Sequence, residues 1–459
     1  MNKVRYRNVY LKRKLDKLTL LCWLLKAIVD TREYNLEQES ELRFEVEFSS
    51  KASVKLVSGT AEIFGTELAT GVTYHFFGRK IAVFTWHGCC LELTGQCSVE
   101  YTANETPMSS YLNLHLALEQ LRENAAQQGE QGPRVLVLGP HDVGKTSLCK
   151  ILLSYALRQG RRPLHVSLDC SEGSITMPGT MTATSISHII DVEEGFGSTA
   201  TTAASMGSTT MPLAYYYGYQ NPSENLQLYK LLTSKLAQGV KARSAIDDET
   251  RLGGQIIDTT GLIDNVGYDI IQHAIEQFSV NVVVVLGHER LYSDMTRILR
   301  DKPEISVVKV AKSGGVVERD QQFRTQLQRS KIHEYFYGTS KCELSPYSTL
   351  TNFTDVSIWR VGESSLAPTS ALPIGMDRQL SETQLVKIDN ADILLHSILA
   401  VLNADETDNE ANALESNVAG FIYVSDVDDA KQKLTILSPA PGRLLKRHLL
   451  MGSFKWIES

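Results

Sequence analysis

The N-terminal part of the chain alternates apolar and polar residues over short stretches. Leu42 to Glu47 alternates at every position, and three similar stretches follow between residues 53 and 86, with glycines at the turns. Short strands separated by turn residues are typical of a sandwich or a barrel. Leucines at helical spacing from Tyr111 to Arg122 mark the next element. We therefore predict a small β-sandwich-like domain over residues 34–108.

The pattern changes at Arg134, where the strands become uninterrupted apolar runs. Val135 to Leu138 is such a run, which is typical of a strand buried on both faces. A helix is predicted over residues 145–158. Further apolar strands end at Asp169, near Asp258, at Gly287 and at Lys312. Strands that alternate with helices indicate a parallel α/β sheet, which we assign to residues 109–340.

Alternating stretches return after residue 345, including Phe353 to Trp359 and Gly420 to Val424. They predict a small strand-containing C-terminal domain over residues 341–459. The fold class is therefore α/β, with a central parallel-sheet domain between a β-rich N-terminal domain and this third domain. A stretch rich in Ser, Thr, Ala and Gly, from Phe196 to Pro212, is predicted to be a surface loop.

Residues 1–33 differ from the rest of the chain. The first 17 residues hold seven basic residues and one acid, and an apolar run from Leu18 to Leu25 follows. That run is too short to span a bilayer, and no small-residue cleavage site of a signal peptide follows it. We predict an unstructured extension, with a targeting helix as the alternative, and no association with membranes.

Charge and cysteine content narrow the class of protein. The 459 residues carry a net charge of −7, so an RNA site must be a local basic cleft and not a generally basic surface. The seven cysteines are an odd number without any CxxC pair, which argues against a disulfide framework or a zinc site. A reducing compartment fits this pattern.

The strongest chemical motif begins at Gly139 and matches G-x-x-x-x-G-K-[ST]. It follows a predicted strand and opens a predicted helix, as in a P-loop NTPase domain. Lys145 is expected to reach the β- and γ-phosphates, and the Thr146 hydroxyl to bind Mg²⁺. The residues predicted to hold the nucleotide here are Gly139, Asp142, Val143, Gly144, Lys145, Thr146 and Ser147.

A second acid is needed beside the metal, and the pattern leaves two candidates. Asp169 and Asp258 each end an apolar strand. Asp258 also begins a D-x-x-G string, as in a GTPase switch, but no Asn-Lys-x-Asp string for guanine occurs in the chain. Further along, Arg319 and Arg324 follow a Gly-Gly hinge. They are either phosphate-binding arginines or part of a solvated helix face.

At these residues the chain resembles the polynucleotide 5′-hydroxyl kinase family, the kinase subunit of the pre-mRNA 3′-end cleavage complex (cleavage factor II), which is also associated with the tRNA splicing endonuclease. The likeness runs from about residue 34 to the C-terminus. Besides the P-loop, it rests on the strings at residues 61–68, 132–135, 177–181, 191–196, 289–292, 312–319 and 334–338.

The resemblance implies ATP and Mg²⁺ as cofactors, RNA with a 5′-hydroxyl as substrate, cleavage factor subunits as partners and the nucleus as location. It implies that Glu41 and Lys80 help to bind the nucleotide. It assigns Asp169 to the metal and to the acceptor hydroxyl. It implies that Arg319 and Arg324 are lid arginines. Together with Lys145 and Asp169, they would be the catalytic residues.

The resemblance also implies an RNA clasp at Thr259, Gly261 and Leu262, where the family has Thr-x-Gly-Trp. The string around Asp169 departs from the family's Asp-x-Asp-x-Gly-Gln, since Ser167, Ser171 and Glu172 replace an acid, a glycine and a glutamine. The predicted function is therefore an ATP-dependent RNA 5′-hydroxyl kinase. The alternative that the departures favour is an ATP-bound scaffold subunit with little or no turnover.

Overall fold

The structure is a computed structural model. It describes residues 31–196, 211–362, 384–405, 407–441 and 447–458. The predicted N-terminal extension, except its last three residues, and the interior of the predicted Ser/Thr-rich loop lie outside the described residues. The chain divides into two compact units. The first contains residues up to Ile63 and Glu67–Thr106, and the second contains Phe64–Thr66 and everything from Pro107 onward.

The first unit is built from short antiparallel strands, as the alternating pattern predicts. One sheet has the order β1-β8-β3-β6, and a second sheet contains β4, β7, β2 and β9 in that order. Leu42 and Phe44 point into the core, whereas Glu45 is half-buried, because successive residues of a strand face opposite sides. The strands between residues 31 and 106, of which β5 is divided between the two units, are β1 (Thr31–Leu36), β2 (Ser40–Val46), β3 (Ala52–Gly59), β4 (Glu62–Ile63), β5 (Thr66–Glu67), β6 (Thr73–Phe76), β7 (Arg79–Thr85), β8 (Cys89–Gly95) and β9 (Val99–Ala103).

The second unit is organised around a seven-stranded sheet of order β13-β12-β11-β14-β10-β15-β16. Five of these strands, β11, β14, β10, β15 and β16, run parallel, and their buried residues are the apolar runs that the sequence analysis assigned to this sheet. The strands are β10 (Arg134–Leu138), β11 (Leu164–Ser167), β12 (Thr180–Ser185), β13 (Leu213–Tyr216), β14 (Gln255–Asp258), β15 (Val282–Leu286) and β16 (Ser306–Val310).

Helices cover this sheet, as expected for a parallel α/β arrangement. The helix predicted over residues 145–158 has these bounds in the structure. The helices are α1 (Met108–Gln128), α2 (Lys145–Arg158), α3 (Leu226–Ile246), α4 (Asp248–Gly253), α5 (Asn265–Gln277), α6 (Glu289–Ile298) and α7 (Gln321–Tyr337). Within the described ranges, no helix is both long and apolar enough to cross a membrane.

The C-terminal strands form a second seven-stranded sheet, of order β19-β24-β23-β22-β25-β20-β21. Residues of this sheet such as Ile398 and Leu450 belong to the same buried cluster as Val166 and Val285 of the parallel sheet, so the two sheets share one core. The remaining elements are β17 (Gly338–Thr339), β18 (Cys342–Glu343), β19 (Tyr347–Asn352), β20 (Ser357–Val361), β21 (Leu385–Lys387), β22 (Ser397–Asp405), α8 (Glu410–Leu414), β23 (Val418–Asp428), β24 (Lys433–Ser438) and β25 (Arg447–Lys455).

One expected strand is shorter than its alternation predicts. Phe353–Asp355 forms a 3-10 turn, and β20 begins only at Ser357. The Asn352 side-chain amide donates to the Asp355 carboxylate at 2.8 Å, which closes the turn. Side-chain hydrogen bonds of Asn and Asp compete in this way with strand formation.

Candidate active site: a phosphate loop beneath an arginine lid

The loop between β10 and α2 has the backbone of a phosphate-binding loop. Gly144 is the N-cap residue of α2 with φ of +91°, a conformation that favours glycine. Asp142 has φ of +54°, which aspartate tolerates better than most residues. A Cβ on Gly139 would lie 2.9 Å from the Leu286 carbonyl oxygen, so only glycine fits there. The loop thus ends at the positive end of a helix dipole, where phosphate binds favourably.

The remaining predicted loop residues support this geometry. Val143 is buried and packs against Gly139, and Ser147 is half-buried in the first turn of α2. Lys145 is buried, and its ammonium donates to the carbonyl oxygens of Gly139 at 3.0 Å and Pro140 at 2.8 Å. In this structure the lysine therefore binds the loop itself, and a phosphate would have to replace these two contacts.

Two carboxylates compensate the charge of Lys145. Burial lowers the pKa of this lysine, while the charges of Asp258 and Asp169 oppose the shift. Both candidate acids from the sequence analysis therefore lie close enough to act on the same ammonium. Asp258 and Asp169 differ in their hydrogen-bond partners, however, and these partners indicate which of the two acids lies beside the predicted metal ligand Thr146.

Asp258 is the acid that contacts the predicted metal ligand Thr146. The Thr146 hydroxyl donates to Asp258 Oδ2 at 2.6 Å, and Asp258 Oδ1 is buried and has no hydrogen-bond partner within the described part of the chain. Burial raises the pKa of Asp258 to about 6, although Lys145 and Thr146 act against it. The pair is placed by the sheet, because β14 lies directly beside β10.

Asp169 lies in the loop after β11, and its carboxylate accepts hydrogen bonds from within the same loop. Its Oδ1 accepts from the Ser171 backbone N–H at 2.9 Å and from the Ser171 hydroxyl at 2.6 Å. Ser167, another departure in this string, accepts a hydrogen bond from the Ser174 hydroxyl at 3.4 Å. The role of Asp169 beside the metal and the acceptor stays a prediction.

Arg319 and Arg324 lie against the phosphate loop and not on a solvated helix face. The Asp142 carboxylate accepts from Arg319 Nε at 2.8 Å and from the Arg319 backbone N–H at 3.1 Å, and it pairs with Arg324 Nη2. Although burial acts to raise it, the hydrogen bonds and charges of these arginines lower the pKa of Asp142. Glu172 completes the cluster, because it accepts a hydrogen bond from Arg319 Nη1 at 2.9 Å and forms an ion pair with Arg319 Nη2 at 2.6 Å.

Two further contacts hold this segment over the loop. A Cβ on Gly144 would meet Val316 at 3.2 Å, so the chain after the Gly-Gly hinge passes directly above the start of α2. Gln328, on α7, donates to the Ser171 carbonyl oxygen at 2.7 Å. The segment from Lys312 through α7 therefore touches both the phosphate loop and the Asp169 loop, as a lid would.

The predicted RNA clasp lies on the strand end next to the loop. The Thr259 hydroxyl donates to the Val137 carbonyl oxygen at 2.7 Å. Leu262 is half-buried and packs against the main core. A Cβ on Gly261 would lie 2.5 Å from the backbone nitrogen of His141, so this glycine lets the clasp segment approach the phosphate loop. RNA binding by the three clasp residues stays a prediction.

Glu41 and Lys80 lie on the paired strands β2 and β7 of the first unit. Glu41 is buried and accepts from Arg43 Nε at 2.5 Å and from the Thr106 hydroxyl at 3.3 Å. Lys80 pairs with Glu45 at 2.6 Å. Their role in nucleotide binding stays a prediction.

Sequence reasoning overlooked two residues of this site. Glu172 was recognised only as a departure from the family string, whereas in the structure it is the partner of Arg319. His141 drew no attention because it occupies a variable position of the motif. The charge of Glu172 was the signal in the sequence that pointed to its partner. An acidic side chain in the same predicted site as two phosphate-binding arginines is attracted to them.

The sheet, the loop and the charged residues around it together define a P-loop nucleotide-binding protein. Three family models match the chain: the P-loop region of the mRNA cleavage and polyadenylation factor CLP1 over residues 139–338, the N-terminal β-sandwich domain of a polyadenylation factor over 35–125, and the pre-mRNA cleavage complex II protein Clp1 over 344–458. The chain belongs to the Clp1 family, which confirms the resemblance seen in the sequence.

Individual relatives match over nearly their full length. The mRNA cleavage and polyadenylation factor clp1 of Botryotinia fuckeliana is 44% identical, with 93% of this chain and 94% of the relative covered. The polyribonucleotide 5′-hydroxyl-kinase Clp1 of Homo sapiens is 43% identical, with 93% and 97% covered. A solved complex of Clp1p with Pcf11p, described as explaining ATP loss in a point mutant, has a TM-score of 0.84 at 28% identity, with 93% and 99% covered.

Proposed function

We propose that this chain is an ATP-dependent polynucleotide kinase that transfers the γ-phosphate of ATP to the 5′-hydroxyl of RNA. The observation that carries the proposal is the placement of Arg319 and Arg324 on Asp142, a residue of the phosphate loop itself. Arginines there are within reach of a phosphoryl group that the loop holds, which is the arrangement that phosphoryl transfer requires. Relatives named as polyribonucleotide 5′-hydroxyl-kinases support the choice of acceptor.

The donor would bind to the phosphate loop. Its backbone N–H groups and the start of α2 favour the phosphates, and Lys145 exchanges its loop carbonyls for the β- and γ-phosphate oxygens. A hydroxyl and a carboxylate, as in Thr146 and Asp258, are the hard oxygen ligands that suit Mg²⁺, and Asp258 has an oxygen without a partner inside the protein. Mg²⁺ bound there would neutralise charge on the phosphates.

In the transfer step the RNA 5′-oxygen attacks the γ-phosphorus. The new P–O bond forms as the bond to the β-phosphate oxygen breaks, and ADP leaves. Asp169, the second carboxylate whose charge acts on Lys145, orients the hydroxyl and accepts its proton. Arg319 and Arg324 leave their carboxylate partners to stabilise the charge on the transferred group, so that catalysis rests on positioning and electrostatics.

The cellular context follows the relatives. We propose that the chain acts in pre-mRNA 3′-end cleavage, with a cleavage factor subunit comparable to the Pcf11p that is bound to Clp1p in solved structures. Association with the tRNA splicing endonuclease and location in the nucleus belong to the same proposal. They rest on the family resemblance.

A scaffold role is the second candidate, and one observation favours it. The side chain of Arg319 is held by Asp142 and Glu172, and that of Arg324 by Asp142 and the Arg319 carbonyl oxygen. Arginines that already bind carboxylates contribute to transfer only after these contacts break. A protein that holds ATP without breaking them would serve as an ATP-bound subunit.

Labelled phosphate decides between the two functions. The purified chain is incubated with γ-labelled ATP, Mg²⁺ and a short 5′-hydroxyl RNA, beside the same RNA carrying a 5′-phosphate as a blocked acceptor. A kinase labels only the 5′-hydroxyl RNA, and Lys145→Ala abolishes the labelling. ATP that stays bound while neither RNA is labelled would reject the kinase and support the scaffold.

A further inference from the structure

An exposed imidazole lies beside the clasp segment, on the phosphate loop. His141 occupies the third position of the loop motif, and its side chain is exposed. A Cβ on Gly261 would lie 2.5 Å from Cγ and 2.6 Å from Nδ1 of this ring. The backbone of the predicted RNA clasp therefore runs directly against one side of the imidazole, and any residue larger than glycine at position 261 would displace it.

The groups around this ring are those of the proposed reaction. Burial lowers the pKa of His141, and Lys145 and Arg324 lower it further, while Asp169 and Asp142 act in the opposite direction. These four residues come from the loop, from α2, from the segment after β11 and from α7. The ring consequently lies where the donor loop, the acceptor carboxylate and the lid meet.

The other side chains that the clasp and its surroundings offer as a surface for a base are less accessible. Leu262, at the position of the family's tryptophan, is aliphatic, half-buried and packed against the core. Tyr216 is 3% exposed and Tyr217 1% exposed, so neither presents a ring face to solvent. The exposed ring that adjoins the clasp from the phosphate-loop side is His141.

We infer that His141 is a substrate-binding residue, against whose imidazole the 5′-terminal nucleoside of the acceptor packs. The inference rests on the proposed function for the identity of the ligand. Aromatic side chains bind single-stranded nucleic acid by stacking on base faces, whatever the base. A ring at this place would hold the terminal nucleoside on its exposed side, next to the clasp, with the 5′-hydroxyl directed to Asp169.

The test measures RNA binding and not turnover. The dissociation constant of a short fluorescent 5′-hydroxyl RNA is measured by anisotropy at fixed salt, with the full chain loaded with a non-hydrolysable ATP analogue and Mg²⁺. His141→Ala should raise this constant about ten-fold, and His141→Phe, which keeps a ring, should restore it to near the parent value. His188→Ala, a change at an exposed histidine elsewhere in the second unit, should have no effect.

Three outcomes would overturn the inference: unchanged RNA binding in His141→Ala, an equal loss of analogue affinity, or failure of His141→Phe to restore binding. A larger loss of RNA affinity in Phe323→Leu, at a half-buried ring on α7, would assign the stacking to the lid instead.

The outcome of this RNA-binding test is separable from that of the labelling assay. A chain that binds RNA through His141 yet labels no RNA rejects only the kinase, and a kinase indifferent to His141→Ala rejects only this contact.

Discussion

Arg319 Nη1 donates a hydrogen bond to Glu172 Oε2 at 2.9 Å, and Arg319 Nη2 forms an ion pair with Glu172 Oε1 at 2.6 Å. The same guanidinium donates from Nε to Asp142 of the phosphate loop at 2.8 Å. All three nitrogens of the guanidinium are thus engaged by carboxylates. A phosphoryl group competes with Glu172 for Arg319. The contact between Arg319 and Glu172 must therefore break before Arg319 binds the transferred phosphate, and the free energy of that contact opposes the movement.

Glu172→Gln should therefore raise kcat for RNA phosphorylation. The amide keeps the shape of the side chain but removes the charge that holds Arg319. A charge-assisted hydrogen bond exceeds a neutral one by about 1 kcal/mol, which corresponds to a gain of about five-fold. Initial rates at saturating ATP and RNA measure the change. Glu415→Gln, which removes the charge from a half-buried ion pair with Lys235, serves as the control and should leave kcat unchanged.

A fall in kcat in Glu172→Gln would contradict this account. It would mean that Glu172 holds Arg319 in its productive position, and that the cluster is already arranged for transfer. Either result identifies Glu172 as a positioning residue that acts through Arg319. An unchanged kcat, with the control also unchanged, would remove Glu172 from the reaction.

Arg319→Ala and Arg324→Ala should each lower kcat by about 10²-fold or more while the KM for ATP changes little. Both arginines bind protein carboxylates in the structure, so they become available to phosphate mainly when the charge of the transfer step develops. Steady-state kinetics with varied ATP separates kcat from KM. Arg297→Ala, at an exposed position of α6, is the matched control. Loss of ATP affinity at constant kcat would show that the two arginines bind the ground state.

Asp258 and Asp169 should differ in their dependence on Mg²⁺. Asp258 receives the Thr146 hydroxyl, so Asp258→Asn should raise the Mg²⁺ concentration for half-maximal rate by about ten-fold, with recovery at high Mg²⁺. Asp169→Asn should lower kcat by about 10²-fold or more at every Mg²⁺ concentration, because it removes the proton acceptor. Rates measured over a Mg²⁺ titration, with exposed Asp269→Asn as control, decide this. Exchange of the two behaviours would reverse the assignment.

Stability should fall as the pH decreases from 6.5 to 4. His165 is fully buried, and burial lowers its pKa to about 4 from an ordinary 6.5, so the unfolded chain takes up a proton in this range that the folded chain rejects. The stability this neutral histidine contributes is complete above pH 6.5 and is lost towards pH 4, with a slope of about 1.4 kcal/mol per pH unit. His115 adds a second such term, because its pKa is also about 4.

His165→Phe should reduce the difference in melting temperature between pH 7 and pH 5. Phenylalanine preserves the stacked contact with Phe196, whose ring lies 4.2 Å from that of His165, but cannot be protonated. The measurement is thermal unfolding of both proteins at the two pH values. The exposed His188→Phe should behave as the parent does. A difference that is as large in His165→Phe as in the parent would show that this histidine does not titrate with unfolding.

Local patterns were sufficient for most of the fold. The alternation at Leu42 to Glu47 and the apolar run at Val135 to Leu138 predicted two different kinds of sheet, because burial on one face or on both leaves a different period in the sequence. The strand predicted over Phe353 to Trp359 begins too early. The hydrogen bond between the side chains of Asn352 and Asp355 forms a turn there, and the hydrophobic pattern does not reveal such a contact.

The sequence by itself determined the phosphate loop. Its glycines, Lys145 and Thr146 lie within one contiguous stretch, and their spacing is specific to the conformation of such a loop. Tertiary structure alone decided which acid meets Thr146, since β14 and not β11 lies beside β10. It also decided that Glu172 binds Arg319, 147 residues away, and that His141 faces Gly261. Such partners belong to distant segments, and only the packing of the sheet, its loops and α7 brings their charges and rings within contact distance.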